Sequence, residues 1–200
     1  MRDDAIQAFD ALYRASEDPW ETSTRWYERR KRRLLLATLP RERYASSYEP
    51  GCGNGLFTSA LAERCDCVMA SDASEIAVGA ARRRLDHMNN VAVERHVLPR
   101  DWPSRQFELV VLSELVYFLE PDAIEQLGIR VRDSIAEHGL AIACDWRAPI
   151  AGYGHSGEEA HRMFEAAIAL PLSFEYFDPD FIISAWSLDT TSPAMREAIR

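Results

Sequence analysis

Between the β-forming residues Tyr44–Tyr48 and a helical stretch at Leu56–Arg64, the chain places Glu49-Pro50-Gly51-Cys52-Gly53-Asn54-Gly55. No other segment restricts the fold as much. Alternate glycines let a strand turn sharply into a helix, because glycine takes positive φ without a steric cost, and they leave the backbone open to a ligand. The pattern G-x-G-x-G opening on an acid differs from the dinucleotide fingerprint G-x-G-x-x-G, which seats a pyrophosphate on a helix N-terminus. Glu49 would repel a phosphate and suits an ammonium or other cationic group. Asp72 closes the next strand, where a carboxylate can accept both hydroxyls of a ribose. A structural turn alone explains the glycines, but not the order strand, acid, glycines, helix, strand, acid.

The rest of the chain alternates in the same way. Ile6, Phe9, Leu12 and Tyr13 recur at helical spacing. After the break Ser16–Trp20, a second helix is predicted over Ser23–Leu39, capped by Ser23 or Thr24 and stopped by Pro40. Strands are predicted at Tyr44–Tyr48, Cys67–Ala70, Val91–His96, Phe107–Leu112 and Leu140–Cys144. Helices are predicted at Leu56–Arg64, Glu75–Leu85, Pro121–Ala136 and Gly157–Leu170. Phe174–Phe177 and Phe181–Leu188 flank Asp178-Pro179-Asp180 and read as a hairpin. Strands alternating with helices imply a parallel sheet with right-handed crossovers, and the hairpin adds antiparallel strands at one edge. The division expected is a helical cap over residues 1–40 and a sheet domain over 41–200.

Composition narrows the function. The net charge of -9 argues against non-specific nucleic-acid binding, which depends on phosphate neutralisation. The charge is uneven: the predicted second helix and its exit are basic, and Lys31 is the single lysine among 23 basic residues. No run approaches the roughly 20 apolar residues of a membrane span, and the first residues mix acids through their apolar positions, unlike a signal peptide. Cys52, Cys65, Cys67 and Cys144 lack metal-ligand spacing, so reduced thiols and no metal are expected. The expected setting is cytoplasmic, as a monomer or weak homodimer, with a small-molecule substrate.

With these residues in view, the sequence resembles class I S-adenosylmethionine-dependent methyltransferases, through Glu49–Gly55, Asp72, the strand Phe107–Leu112 and the terminal hairpin. A narrower similarity is to the nodulation protein S family of N-methyltransferases. It rests on Asp18-Pro19-Trp20, Trp26–Lys31, Tyr48–Cys52 and Ser113–Leu119. The resemblance implies a Rossmann-like α/β fold: a seven-stranded mixed sheet, parallel but for the C-terminal hairpin, flanked by helices and carrying the N-terminal cap. It implies S-adenosylmethionine as cofactor and S-adenosylhomocysteine as product. The cofactor would be held by Glu49, Gly51, Cys52, Gly53, Asp72, Ala73, His96, Val97 and Ser113, with Trp20, Tyr27 and Arg30 closing over it from the cap. His96 stands where such enzymes often carry an acid for the adenine amino group, and Glu137-His138-Gly139 replaces their usual Pro-Gly-Gly turn.

In open α/β sheets ligands bind beyond the carboxyl ends of the strands. That places Glu114, Tyr117, Asp145, Trp146 and Arg147 at the acceptor side, under a loop at Arg147–Ser156. Methyl transfer needs alignment and exclusion of water more than acid–base work, so Glu114, His155 and Tyr117 are the candidates to bind or deprotonate an acceptor. The residue types also allow plainer roles: Glu114 as a helix cap or arginine partner, His155 as an exposed loop residue, Tyr117 as packing, His161 as a hydrogen bonder. The expected activity is methylation of an amine, such as an amino sugar or oligosaccharide. Oxygen, sulfur or carbon acceptors, or a catalytically idle binding module, are the alternatives.

Overall fold

The computed structural model describes residues 1–150, 152 and 155–199. Seven strands form one sheet: β1 (Ser47–Pro50), β2 (Val68–Asp72), β3 (Val91–Arg95), β4 (Phe107–Ser113), β5 (Ile135–Trp146), β6 (Leu172–Phe177) and β7 (Phe181–Trp186). Their order is β3-β2-β1-β4-β5-β7-β6. The first five pair in parallel, and β7 runs antiparallel to both β5 and β6. This is the Rossmann-like mixed sheet that the sequence led us to expect.

Helices cover both faces because the strands are apolar on both. In β4, Leu109 and Val111 point to one side and Val110 and Leu112 to the other, and all four are completely buried. The first side packs against Leu35 of α2 (Trp26–Thr38) and Leu61 of α3 (Leu56–Ala62). The second packs against Ile124, Leu127 and Val131 of α5 (Pro121–Ser134) and Phe164 of α6 (Gly157–Ile168). Of the other helices, α1 (Asp3–Ala15) leans on α4 (Glu75–Leu85), and α7 (Pro193–Arg196) is a single turn.

Some boundaries depart from expectation for local reasons. Helix α2 starts at Trp26 with no side-chain cap, because Ser23 is taken by Asp18, which accepts its amide at 2.9 Å and its hydroxyl at 2.6 Å. Tyr44 pairs only in an isolated bridge with Cys65, so β1 begins at Ser47. Ile135 is already extended and opens β5, which shortens α5.

Helices α5 and α6 cross with almost no gap at Gly128. A β-carbon there would lie 2.6 Å from Ala167 Cβ and 2.8 Å from the Ile168 amide nitrogen. Gly128→Ala should therefore cost stability through overpacking, by about 1–3 kcal/mol, despite alanine's better helix propensity. Urea denaturation followed by tryptophan fluorescence measures this; a variant as stable as the parent would mean the two helices are not in contact there.

Candidate functional site

The chain turns sharply where β1 meets α3. Gly51, Gly53 and Gly55 all have positive φ, between 54° and 77°. Two of the amides in this turn, Gly51 and Cys52, donate to the Ser71 carbonyl of the neighbouring strand β2. The Gly53 amide instead donates to Asp72 Oδ2 at 2.9 Å, while Ser74 donates to Asp72 Oδ1 at 2.9 Å. Gly53 is demanded twice over: it needs the left-handed conformation, and any β-carbon would collide with the Tyr13 hydroxyl reaching down from α1. Burial raises the Tyr13 pKa, and the charge of Asp72 adds to the effect.

A cavity opens beside this turn. It is lined by Glu49, Gly51, Cys52, Gly53, Asp72, Ala73, His96 and Ser113 from the strand ends, by Trp20 from the cap, and by Glu114 and Tyr117 beyond β4. Glu49 is buried, and its Oε2 has no hydrogen-bond partner among the described residues. An unpaired buried carboxylate is expensive, and burial pushes the Glu49 pKa up to about 8, with the Thr58 hydroxyl opposing and Asp72 adding to the shift. Burial likewise raises Asp72, against the pull of its backbone donors. Five carboxyl groups face the cavity (Asp18, Glu28, Glu49, Asp72 and Glu114) against the side-chain cations Lys31 and Arg32, which favours a ligand with positive charge.

On the far side of the cavity, Glu114 sits at φ +53°, a conformation costly for a non-glycine residue. Its amide donates to the Cys144 carbonyl at 2.8 Å, and Leu115 donates to Asp145 at 2.9 Å, so the turn is held on both sides. Lys31 Nζ donates to Glu114 Oε1 at 2.6 Å and contacts Glu28 at 3.0 Å, and the Tyr117 hydroxyl donates to Glu114 Oε2. Lys31 is buried and lies 4.9 Å from the centre of the Tyr27 ring. Burial lowers the Lys31 pKa, but Glu114 and Glu28 more than offset this, and the net shift is upward. Lys31 is therefore an ammonium.

Four of the candidate residues lie elsewhere. Arg30 bridges to Asp178 in the β6–β7 turn at 2.6 Å. Tyr27 packs edge-on against Trp146 and Phe181, one residue layer behind Lys31. Val97 is buried with Ile6 and Ala73, and its amide donates to Asp101 at 2.9 Å, so it is not free to meet an adenine. His155 does not line the cavity; of the loop expected over the site, residues 151, 153 and 154 lie outside the described residues. Asp145 and Arg147 do not pair with each other: Asp145 bonds to His161, and Arg147 to Glu158. Several lining residues, notably Tyr13, Asp18, Glu28 and Lys31, had no site role assigned from the sequence, although Asp18 and Trp26–Lys31 belong to the motifs of the narrower similarity. Besides those motifs, the single lysine in an arginine run was a signal. Among the described residues no metal-ligand cluster occurs.

The family model described as nodulation protein S (NodS) matches residues 7–136. A nodulation protein S of Bradyrhizobium diazoefficiens is 30% identical over 112 residues, 56% of this chain and 53% of that one. One from Sinorhizobium fredii is 30% identical over 122 residues, 58% of this chain and 55% of that one. The chain thus spans about half the length of these relatives. Among solved structures, a candidate methyltransferase from Pseudomonas syringae is 39% identical, with a TM-score of 0.73 over 82% of this chain and 99% of that one. The N-methyltransferase NodS of Bradyrhizobium japonicum WM9, solved with S-adenosyl-L-homocysteine, superposes with a TM-score of 0.82 at 19% identity, over 92% of this chain and 98% of that one. The fold is that of class I methyltransferases.

The unpaired Glu49 should be visible in the ligand-free protein. Its folded pKa lies above the unfolded value, so the stability tied to its proton is complete below about pH 4.5 and is lost as pH rises through about 8. Glu49→Gln, which cannot ionise, should escape that loss. Melting temperatures measured from pH 5 to 9 should show the variant gaining on the parent as pH rises; parallel curves would mean that Glu49 is paired or solvated.

Proposed function

The chain belongs to the nodulation protein S family, and from that premise we propose that it transfers a methyl group from S-adenosylmethionine to the nitrogen of a small-molecule amine. An amino sugar or amino-oligosaccharide is the substrate class that goes with this reading. The observation that carries it is the buried Glu49 carboxylate, whose Oε2 lacks a partner among the described residues, in a cavity it shares with the glycine turn and Asp72. An α-ammonium would meet Glu49, ribose hydroxyls would meet Asp72, and the bare backbone of Gly51–Gly53 would admit the chain between them. Neither carboxylate suits a phosphate, so a dinucleotide is a poor fit. Ala73 and His96 would border the adenine, and Ser113 and Trp20 would complete the walls. The four unpaired thiols go with a reducing, cytoplasmic setting.

When bound, the cofactor would supply an electrophilic methyl group on a sulfonium to a neutral nitrogen, with S-adenosylhomocysteine as co-product and a methylated ammonium that has one proton to lose. The rest falls to the chain. Glu114, oriented by Lys31 on one oxygen and Tyr117 on the other, has lone pairs left to accept an N–H of the acceptor and to receive its proton. The Lys31 ammonium works in the same direction: a like charge beside an amine disfavours its protonated form, which cannot attack. Tyr13, Trp20 and Phe9 close the cap side and keep water from the sulfonium.

Calorimetry with S-adenosylmethionine, followed by assays of S-adenosylhomocysteine release with a panel of amines, tests the reading. Asp72→Ala should weaken cofactor binding by roughly ten- to a hundredfold, the worth of a hydrogen bond to a charged group. A parent protein that binds no cofactor would sink the proposal, and unchanged affinity in the variant would sink the ribose assignment. In the same assay Lys31→Met should impair turnover more than cofactor affinity, since Lys31 faces the acceptor side. An equal loss in both would show that Lys31 serves the cofactor.

A further inference from the structure

Behind the turn that carries Glu114 runs a line of polar groups for which methyl transfer has no use. The Leu115 amide donates to Asp145 Oδ1 at 2.9 Å. Asp145 Oδ2 meets His161 Nε2 at 2.9 Å, and His161 Nδ1 meets Ser184 Oγ at 2.9 Å. Ser184 Oγ donates to Glu175 Oε1 at 3.0 Å. Asp145, His161 and Ser184 are buried, whereas Glu175 is exposed. The line therefore runs from solvent, through β6, β7 and α6, to the end of β5 and the wall of the cavity.

The protons of this line do not balance with neutral groups. The three contacts between Asp145 and Glu175 need one proton each. A neutral histidine brings one, the serine hydroxyl brings one, and ionised carboxylates bring none. With the Ser184 proton committed to Glu175, both ring nitrogens of His161 must donate, one to Asp145 and one to Ser184. The line closes only with a third proton. The groups around the ring are Asp145 on β5, Ser184 and the Trp186 ring (6.1 Å away) on β7, and Glu175 on β6. Past Asp145 lie Glu114 and Tyr117, both of which feel its charge.

We propose that Asp145 and His161 are positioning residues for the Glu114–Leu115 turn, and that their relay carries one proton beyond the neutral complement, exchanged with solvent at Glu175. The turn needs holding because Glu114 stands in the left-handed region. What the relay holds also sets the cavity's width: Leu115 Cδ1 lies 3.1 Å from where a β-carbon on Gly51 would be, so this residue is the spacer between the two loops. Gly157 lets α6 begin tight against β5, since any β-carbon there would strike the Trp146 carbonyl, and this brings His161 to Asp145.

Long-range nitrogen–proton correlation spectra of the histidine rings in the full ¹⁵N-labelled chain at neutral pH read the count directly. The parent should show His161 protonated on both nitrogens. Asp145→Asn can donate to Nε2, so the ring should become neutral with its proton on Nδ1. Glu175→Gln can donate to Ser184, which frees the serine proton for Nδ1, so the ring should become neutral with its proton on Nε2. A neutral ring in the parent, or the same tautomer in both variants, would overturn the proton count. Amide exchange at Leu115 tests the positioning: Asp145→Asn keeps an acceptor and should leave exchange unchanged, whereas Asp145→Ala should raise it at least about tenfold, the loss of one hydrogen bond to a charged group. Unchanged exchange in Asp145→Ala would remove the positioning role. Ser184→Ala checks the count a third way: it removes two of the three contacts, to His161 and to Glu175, so the one left, with Asp145, needs only a neutral ring with its proton on Nε2, and a doubly protonated ring there would contradict the count. None of these readouts depends on methyl transfer, so they stand or fall apart from the proposed reaction.

Discussion

The site depends on one constraint of chain topology, the reversal of strand order between β1 and β4. Helix α3 leaves β1 towards one face of the sheet and α5 follows β4 on the other, as their separate buried clusters show. The two connecting segments must therefore diverge, and a crevice opens between them at the carboxyl ends of the strands. On one side stands the glycine turn with Glu49, and on the other the strained turn of Glu114. The contact of Leu115 with Gly51 sets how far apart they stand. Substituting the glycine would spread the crevice before it touched any ligand.

Within that crevice two carboxylates, Glu49 buried and Glu114 half-buried, meet opposite fates. Glu114 has Lys31 and Tyr117 on its two oxygens. Glu49 has an oxygen with no partner among the described residues and a raised pKa, a condition a folded chain tolerates where a ligand is to complete it. The pairing of Glu114 has a second consequence. Lys31 belongs to α2, so its bond ties the helical N-terminal segment to the sheet. Arg30 with Asp178, Asn54 with the Glu17 carbonyl, and Ser74 with Asp10 do the same at other points. Lys31 is buried, and losing Glu114 would leave its ammonium with Glu28 alone, a costly loss of compensation, so the cap and the Glu114 side of the cavity support each other.

What could be read from the sequence was whatever is written in neighbouring residues. The glycine turn, the acid before it and the acid ending the next strand lie within a short span, and strand–helix alternation gave the sheet. The misplaced residues fail for reasons of phase and distance. On α2, Glu28, Lys31 and Leu35 share the face turned to the cavity, while Tyr27 and Arg30 face the β6–β7 hairpin. One step around a helix separates a ligand contact from a structural one, and an arginine-rich stretch does not reveal its phase. Tyr13 was legible as apolar spacing, yet its hydroxyl is what reaches Gly53. Val97 ends the third strand as an adenine contact would, but Asp101, four residues on, occupies its amide. Asp145 and His161 sit on a strand and a helix that only the tertiary fold brings together.

The most direct test of the account is a crystal structure of the full chain with S-adenosylhomocysteine, whose ammonium and ribose are those of the cofactor. The α-ammonium should lie within hydrogen-bond distance of Glu49 Oε2, the ribose hydroxyls on Asp72, and the thioether sulfur facing Glu114 across the crevice. A ligand that left Glu49 unpaired, or lay outside the cavity between β1 and β4, would contradict it.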